Sequence, residues 1–286
     1  MSTDKWASWL LTRRDGGDAE VRRRHAPSLA AFRDGVLDRA SIGEGDVVLD
    51  LGTGSGLIAF GALDLVGDTG QVIFSDISAV LLEECRRRAG DDKRCSFVQM
   101  PADDLGPIAD ASVDVVTTRS VLMYLADKRA AFAEIARVLR PGGRLSIFEP
   151  VNSFLAGRNA HQFLGLDLSP MADLAAKVLS AYTGESLILN FDERDLLAWT
   201  EAAGFTSIEM DYRAQVDVPM DAAPGDWETL RRTAPNPLAP TYQEAMAATL
   251  TAAERDRLED FVRAQFAAGA PRHSSLATVF LRAVRR

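Results

Sequence analysis

The chain has 286 residues, 47% of them hydrophobic, which is enough for one α/β domain with a cap. Its net charge of −9 and the lack of a long Lys/Arg block disfavour a nucleic-acid substrate. The spacing of Cys85 and Cys95 fits neither a C-x-x-C pair nor a zinc site. The N-terminus has no signal-peptide character, and no apolar run approaches the ~18 residues of a membrane span. We therefore expect a cytoplasmic protein without a membrane partner.

Residues 1–44 are predicted to form a helical arm. Trp6, Trp9 and Leu10 recur at helical spacing, and a second helix is predicted over residues 19–40. The two tryptophans either pack against the domain or belong to a lid over an acceptor pocket. The sequence leaves both interpretations open.

The most specific motif lies at residues 47–56, where an apolar strand ends in an acid and enters a glycine-rich turn. Glycines let the backbone turn tightly and approach a ligand closely. A dinucleotide-binding fingerprint requires glycine or alanine at its sixth position, and Leu57 stands there instead. Asp50, two residues before the first glycine, would repel a pyrophosphate but suits a cationic amino-acid ligand. The pattern D-x-G-x-G-x-G resembles motif I of the class I S-adenosylmethionine (AdoMet) methyltransferases.

Further markers of this family follow in the family's order, up to about residue 212. They are Asp76 after a second strand, Pro101-Ala102-Asp103-Asp104 after a third, Arg119 and Ser120 after a fourth, Arg140-Pro141-Gly142-Gly143 after a helix, a fifth strand from Arg144 to Glu149, and Gly204-Phe205 at the start of a sixth. A glycine motif alone would be weak evidence, whereas six markers in register identify the family.

The resemblance implies AdoMet as cofactor and S-adenosylhomocysteine as product. In the family, the acid at the position of Asp76 holds the ribose hydroxyls, and Arg119 is a candidate partner for the methionine carboxylate. Pro101 stands where the family often has the aspartate that contacts adenine, which leaves Asp103 and Asp104 as candidates. The predicted cofactor-binding residues are Asp50, Gly52, Thr53, Gly54, Gly56, Asp76, Ile77, Ala102, Asp103, Arg119 and Ser120.

The alternation of strands and helices, together with the resemblance, predicts an α/β fold. We expect a Rossmann-like, seven-stranded, mostly parallel sheet with helices on both faces, plus a helical arm and helical cap insertions. The expected segments are the arm (1–44), the AdoMet-binding core (45–150), a cap insertion (151–192), a core helix and sixth strand (193–218), a helical insertion (219–271) and a last antiparallel strand (272–286). A helix is predicted over residues 171–182, and the apolar stripe of the second insertion is interpreted as packing on the core.

Methyl transfer from a sulfonium is an in-line displacement, so the protein must align the acceptor, exclude water and remove a proton where the acceptor carries one. No metal is required, and no metal-ligand cluster is visible. The candidate bases are His161 and Tyr182 in the cap insertion and Glu149 at the end of the fifth strand; His25 and His273 are weaker candidates. An intrinsically nucleophilic acceptor needs no strong base.

These features predict an AdoMet-dependent methyltransferase that acts on an O, N or C atom of a small aromatic or polyketide-like natural product. One alternative is an enzyme of the same fold that binds AdoMet but catalyses a step other than methylation. Another is a non-catalytic AdoMet-binding partner protein. The sequence leaves the acceptor and the oligomeric state open, with a homodimer as one possibility.

Overall fold

A computed structural model describes residues 4–155, 162–182, 187–220 and 227–286 of the chain. Its helices are α1 (Lys5–Ser8), α2 (Ala19–Ala40), α3 (Leu57–Leu63), α4 (Ala79–Ala89), α5 (Lys128–Val138), α6 (Ala172–Leu179), α7 (Glu193–Ala202), α8 (Trp227–Leu230), α9 (Tyr242–Thr249) and α10 (Ala252–Ala267). Its strands are β1 (Val47–Leu51), β2 (Gln71–Asp76), β3 (Cys95–Gln99), β4 (Val113–Arg119), β5 (Leu139–Pro150), β6 (Gln162–Phe163), β7 (Leu166–Asp167), β8 (Phe205–Pro219) and β9 (His273–Arg285).

Seven strands form one sheet in the order β3-β2-β1-β4-β5-β9-β8. The pairs β2–β3, β1–β2, β1–β4 and β4–β5 are parallel, and β9 runs antiparallel to β5. This confirms the predicted α/β fold with its mostly parallel sheet. Strand order reverses at β1, so the carboxyl ends of β1, β2 and β4 lie side by side at the switch point, where open α/β sheets bind ligands.

Strand β5 begins earlier than the sequence predicts. It starts directly after α5, and its register with β4 shifts between the pairs Val113–Leu139 and Val115–Arg144. Pro141, Gly142 and Gly143 fall inside this irregularity, and Gly142 has a φ of 80°. The Pro-Gly-Gly segment therefore forms a bulge within the strand, because it can neither donate regular ladder bonds nor keep an extended conformation.

The chain divides into two compact units. The first unit comprises Met1–Pro27, Phe154–Ser186 and Ala214–Leu276, and the second comprises Ser28–Ser153, Leu187–Arg213 and Ala277–Arg286. The division falls inside α2, after Pro27. Pro27 has no backbone N–H to donate to the helix ladder, so the helix is weakest at this point.

The arm expected over residues 1–44 is consequently shared between the units. The second half of α2 contributes Val36, Leu37 and Ala40 to the core of the second unit, where they pack with apolar residues of β1, α3 and β2. The side-chain hydroxyl of Ser146 in β5 donates to the Val36 carbonyl oxygen at 2.7 Å. This part of α2 is thus a fixed element of the sheet's own core.

The first unit has a separate apolar core built from the two insertions. Its buried members come from the β7 region, α6, α8, α9 and α10. The predicted helix over 171–182 appears as α6, preceded by a 3₁₀ turn at Ser169–Met171. Leu258 and Val262, from the apolar stripe on α10, are buried in this core and not in the core of the sheet. The insertions therefore bury their apolar faces against each other.

No helix in the described ranges is long and apolar enough to cross a membrane.

Candidate functional site

The glycine-rich loop between β1 and α3 is shaped by backbone conformations that favour glycine. Gly52, Gly54 and Gly56 have φ values of 64°, 55° and 80°. A Cβ on Gly52 would lie 2.3 Å from Cγ2 of Val121, so the loop after β4 packs directly on this glycine. Side chains at these positions would both strain the backbone and push the two loops apart.

Hydrogen bonds tie the same loop to the neighbouring strand β2. The Thr53 N–H donates to the Ser75 carbonyl oxygen at 2.8 Å, and the Gly54 N–H donates to Oδ2 of Asp76 at 2.9 Å. The thiol of Cys85 in α4 donates to the Gly54 carbonyl oxygen at 3.3 Å. The loop is therefore held in one conformation by groups on β2 and α4.

Asp76 ends β2 and is buried against the glycine-rich loop. Its Oδ1 accepts a hydrogen bond from the Ser78 N–H at 2.8 Å, and Ser78, not Asp76, caps α4. A carboxylate oxygen can accept more than one hydrogen bond, which is the chemistry that ligand hydroxyls require. Ile77 follows with 54% of its side chain exposed, which is unusual for an isoleucine beside a strand end.

Asp50 lies at the centre of the sheet and is only 1% exposed. Its Oδ1 accepts a hydrogen bond from the Thr117 hydroxyl on β4 at 2.8 Å. Its Oδ2 and the hydroxyl of Thr53 are buried without a hydrogen-bond partner among the described residues. Burial raises the pKa of Asp50 to about 7, and the nearby hydroxyls of Thr53 and Thr117 and the Ala59 N–H act in the opposite direction. Buried polar atoms left unpaired next to a glycine-rich loop fit a site completed by a polar, cationic ligand.

Arg119 and Ser120 lie at the carboxyl end of β4. The Arg119 guanidinium lies over two aromatic rings, 5.4 Å from the centroid of Phe32 and 5.8 Å from that of Phe148. Ser120 has a φ of 57°, and its N–H donates to the Phe148 carbonyl oxygen at 2.9 Å. The left-handed conformation of Ser120 turns the chain sharply from the strand into the loop that packs on Gly52.

Glu149, predicted as a candidate base, has a different task in the structure. It is 0% exposed, and its carboxylate accepts hydrogen bonds from the N–H groups of Val121, Leu122 and Met123 at 2.8, 2.9 and 3.4 Å. Burial raises its pKa to about 7, and these three N–H groups act in the opposite direction. Both oxygens of Glu149 therefore hold the loop after β4, and its role as a base stays a prediction.

The remaining predicted residues lie in different places. Ala102 is buried after β3, while Asp103 is half-buried and Asp104 is exposed. The Asp104 carboxylate accepts a hydrogen bond from the Gly106 N–H at 3.1 Å, which leaves Asp103 as the better candidate to meet a ligand. Tyr182 belongs to the first unit, and burial raises the pKa of its phenol. His161 lies outside the described residues.

A glycine-rich loop at the switch point of a doubly wound sheet, with one acid before it and a second acid bonded to it, defines a nucleotide-binding α/β protein of the AdoMet-dependent type. Residues 49–147 match the family of methyltransferase domains. The chain is 34% identical over 171 residues to a protein of Clavibacter sepedonicus named demethylmenaquinone methyltransferase, covering 58% of this chain and 67% of that one.

A second relative, the ubiquinone/menaquinone biosynthesis C-methyltransferase UbiE of Hahella chejuensis, is 33% identical over 178 residues, covering 59% of this chain and 70% of that one. The fold also matches the structure of a geranyl diphosphate methyltransferase in complex with AdoMet, with a TM-score of 0.53, 20% identity and coverage of 98% and 94% of the two chains. The chain belongs to the class I AdoMet-dependent methyltransferases, and its cofactor is AdoMet.

Sequence reasoning missed the residues that support the cofactor residues. Thr117 bonds Asp50, Val121 packs on Gly52, and Glu149 fixes the loop that carries Val121. The consecutive threonines at 117 and 118 were a usable signal, since polar residues inside an apolar central strand need partners. The role of Glu149 had no local signal, because its partners are 26–28 residues away.

We expect Asp50→Asn to change the pH dependence of stability in the ligand-free protein. The pKa of Asp50 rises from 3.8 in the unfolded chain to about 7 in the folded one, so the folded protein loses stability as pH rises through this window. An asparagine side chain at position 50 does not titrate, so the variant does not lose stability in this pH window. The free energy of unfolding of the variant, measured with urea, should match that of the wild type near pH 4 and exceed it by about 4 kcal/mol above pH 7.

Exposed Asp91→Asn is the matched control and should leave the pH profile unchanged. A constant difference between Asp50→Asn and wild type at every pH would show that the pKa of Asp50 is the same in the folded and the unfolded protein and would contradict the prediction.

Glu149→Gln should weaken cofactor binding and not proton transfer. The amide replaces one acceptor oxygen with a donor, so at least one loop N–H loses its partner and Val121 shifts against Gly52. We expect the affinity for S-adenosylhomocysteine, measured calorimetrically, to fall by about tenfold, equivalent to ~1.4 kcal/mol. Exposed Glu201→Gln is the control. Normal affinity combined with a large loss of turnover at saturating AdoMet would contradict the loop role and restore Glu149 as a base.

Proposed function

We propose that this enzyme transfers the methyl group of AdoMet to a small-molecule acceptor in the cytoplasm. The observation that carries the proposal is the Gly54 N–H bond to Asp76, which joins the glycine-rich loop to the acid at the end of β2. Both cysteines are free, as expected for a reducing compartment.

The chemistry of each group suggests its role toward the cofactor. Asp76 accepts hydrogen bonds from the ribose hydroxyls. The exposed Ile77 and the buried Ala102 offer apolar contacts to adenine, and Asp103 accepts a hydrogen bond from the adenine amino group. Arg119 and the side-chain hydroxyl of Ser120 receive the methionine carboxylate, while Asp50 and Thr53 serve the amino-acid end near the loop of Gly52, Gly54 and Gly56. The bound cofactor supplies an electrophilic methyl on a sulfonium, and the protein aligns it and excludes water.

The acceptor we favour is an aromatic or quinone-like molecule methylated on carbon. Two relatives at 33–34% identity carry names from quinone methylation, one of them a C-methyltransferase. An ionised hydroxyl on the acceptor makes the ring carbon nucleophilic, and that carbon loses its proton once the new C–C bond has formed.

This chemistry changes what a base has to do. An acceptor that is already ionised needs a proton removed from its carbon only after transfer, a step for which we keep His161 as the proposed base. Burial raises the pKa of Tyr182, so its neutral phenol suits a hydrogen-bond donor to the acceptor better than a base.

Asp76→Ala should weaken S-adenosylhomocysteine binding by tenfold or more, because a lost hydrogen bond to a charged group costs ~1.5 kcal/mol or more. Calorimetric titration measures the change, with exposed Asp91→Ala as control and circular dichroism to confirm folding. Unchanged affinity in a folded variant would remove the ribose role.

Incubation with AdoMet carrying a labelled methyl group and a panel of hydroxylated naphthalenes and quinones should give a product labelled on carbon. His161→Ala should lower this turnover without changing cofactor affinity. Product without label would favour a non-methylating enzyme of the same fold. Cofactor binding without turnover of any acceptor would favour a non-catalytic binding partner.

A further inference from the structure

A buried lysine lies at the start of α5, and the proposed chemistry does not use it. Lys128 is only 4% exposed. Its ammonium group donates to the carbonyl oxygens of Leu125 and Leu187 at 2.9 and 3.4 Å and to Oδ1 of Asn190 at 2.5 Å. All three donors of the ammonium group are therefore used, and all three acceptors are uncharged. Lysine is almost never buried this fully unless it is paired, so its contacts point to a specific task.

The first of these contacts holds the far end of the loop after β4. Glu149 holds the near end of the same loop, because its carboxylate accepts the N–H groups of residues 121–123. Between the two ends the chain forms a 3₁₀ turn, Leu122–Tyr124. The Leu125 carbonyl oxygen, directly after this turn, accepts from Lys128. The loop is thus fixed at one end by a buried acid and at the other by a buried base.

The other two contacts of Lys128 tie this loop to a segment that is distant in sequence. Their acceptors are 59 and 62 residues away from the lysine. Leu187 begins a second 3₁₀ turn, Leu187–Leu189, which lies against the turn at Leu122–Tyr124. Phe191 follows, and its buried ring has its centroid 5.2 Å from the Lys128 ammonium. Lys128 therefore joins two turns within the second unit.

The segments bonded to the loop stand on either side of one excursion of the chain. The chain passes into the first unit at Phe154 and returns to the second at Leu187. Glu149 lies shortly before the departure, and Leu187 is the residue of return. The loop after β4 also packs on the glycine-rich loop, since a Cβ on Gly52 would meet Val121. A continuous set of contacts therefore runs from the glycine-rich loop to the chain on both sides of this excursion.

We propose that Lys128 is a positioning residue that couples cofactor binding to the conformation of residues 187–191. A cofactor bound at the glycine-rich loop also restrains the loop after β4, whose Leu125 carbonyl oxygen then keeps Lys128 directed at Leu187 and Asn190. The coupling is reciprocal, so release of the second turn weakens cofactor binding by the same factor. The proposal rests on the proposed function, since it takes the glycine-rich loop to hold AdoMet.

Hydrogen–deuterium exchange of the full chain, with and without saturating S-adenosylhomocysteine, tests the coupling. In wild-type protein the ligand should slow exchange at residues 52–56, 121–125 and 187–191, in the last segment by about fivefold or more. Lys128→Met removes the three donors, so it should abolish the effect at 187–191 and keep the effect at 52–56. Exposed Lys93→Met is the matched control and should behave as the wild type.

Asn190 offers a second test that leaves the buried charge in place. Its side chain is exposed, so Asn190→Ala keeps the fold and removes one acceptor of Lys128. We expect this variant to reduce both the exchange effect at 187–191 and the calorimetric affinity for S-adenosylhomocysteine about threefold. Asn190→Asp retains an acceptor oxygen and should restore both. Combining Asn190→Ala with Lys128→Met should give no further loss than Lys128→Met alone, because both changes remove the same link.

Three results would overturn the proposal. A purely structural lysine would lower the thermal midpoint when it is replaced, and both the affinity for S-adenosylhomocysteine and the exchange difference at 187–191 would stay intact in the Lys128 and Asn190 variants. A ligand that slows exchange at 52–56 but not at 187–191 in wild-type protein would remove the coupling and leave the cofactor site standing. Calorimetric binding without slower exchange at 52–56 would refute the proposed cofactor site, and the coupling with it.

Discussion

The parallel pairing of β1 with β2 on one side and β4 on the other is the constraint on which the cofactor site depends. It sets Asp50 opposite Phe74 and Thr117, and it brings Asp76 to the loop that leaves β1. The Gly54–Asp76 and Thr53–Ser75 hydrogen bonds are possible only in this register. A slip of one residue would turn Asp50 and Thr117 to the opposite face of the sheet. The site is therefore a direct product of strand order and register.

Two carboxyl groups at and beside the predicted cofactor site reduce the stability of the folded protein because they are buried. Asp50 and Glu149 are both fully buried carboxyls whose pKa values burial raises to about 7. Glu149 recovers part of this cost through three backbone N–H groups. One Asp50 oxygen accepts from the Thr117 hydroxyl, and the other has no hydrogen-bond partner among the described residues. The difference separates their roles. The satisfied acid shapes the loop after β4, whereas Asp50 precedes the glycine-rich loop with one oxygen still able to accept a hydrogen bond.

Much of the fold and of the cofactor site could be predicted because the relevant signals are local. Alternating apolar strands and helices specify the parallel sheet, and the spacing D-x-G-x-G-x-G specifies the loop within seven residues. The hydrogen bonds from the loop after β4 to Glu149 could not be predicted in the same way. They depend on the left-handed Ser120, which turns Val121, Leu122 and Met123 toward a carboxylate on another strand.

The sequence by itself determined the sheet, its strand–helix alternation and the positions of Asp50, Asp76 and the glycines, because short-range periodicity and spacing encode them. Only the tertiary structure decided how the remaining segments are used. It divided α2 between the two units after Pro27 and gave the two insertions a core of their own. These outcomes depend on which distant apolar faces and charges meet, and no local pattern in a single sequence carries that information.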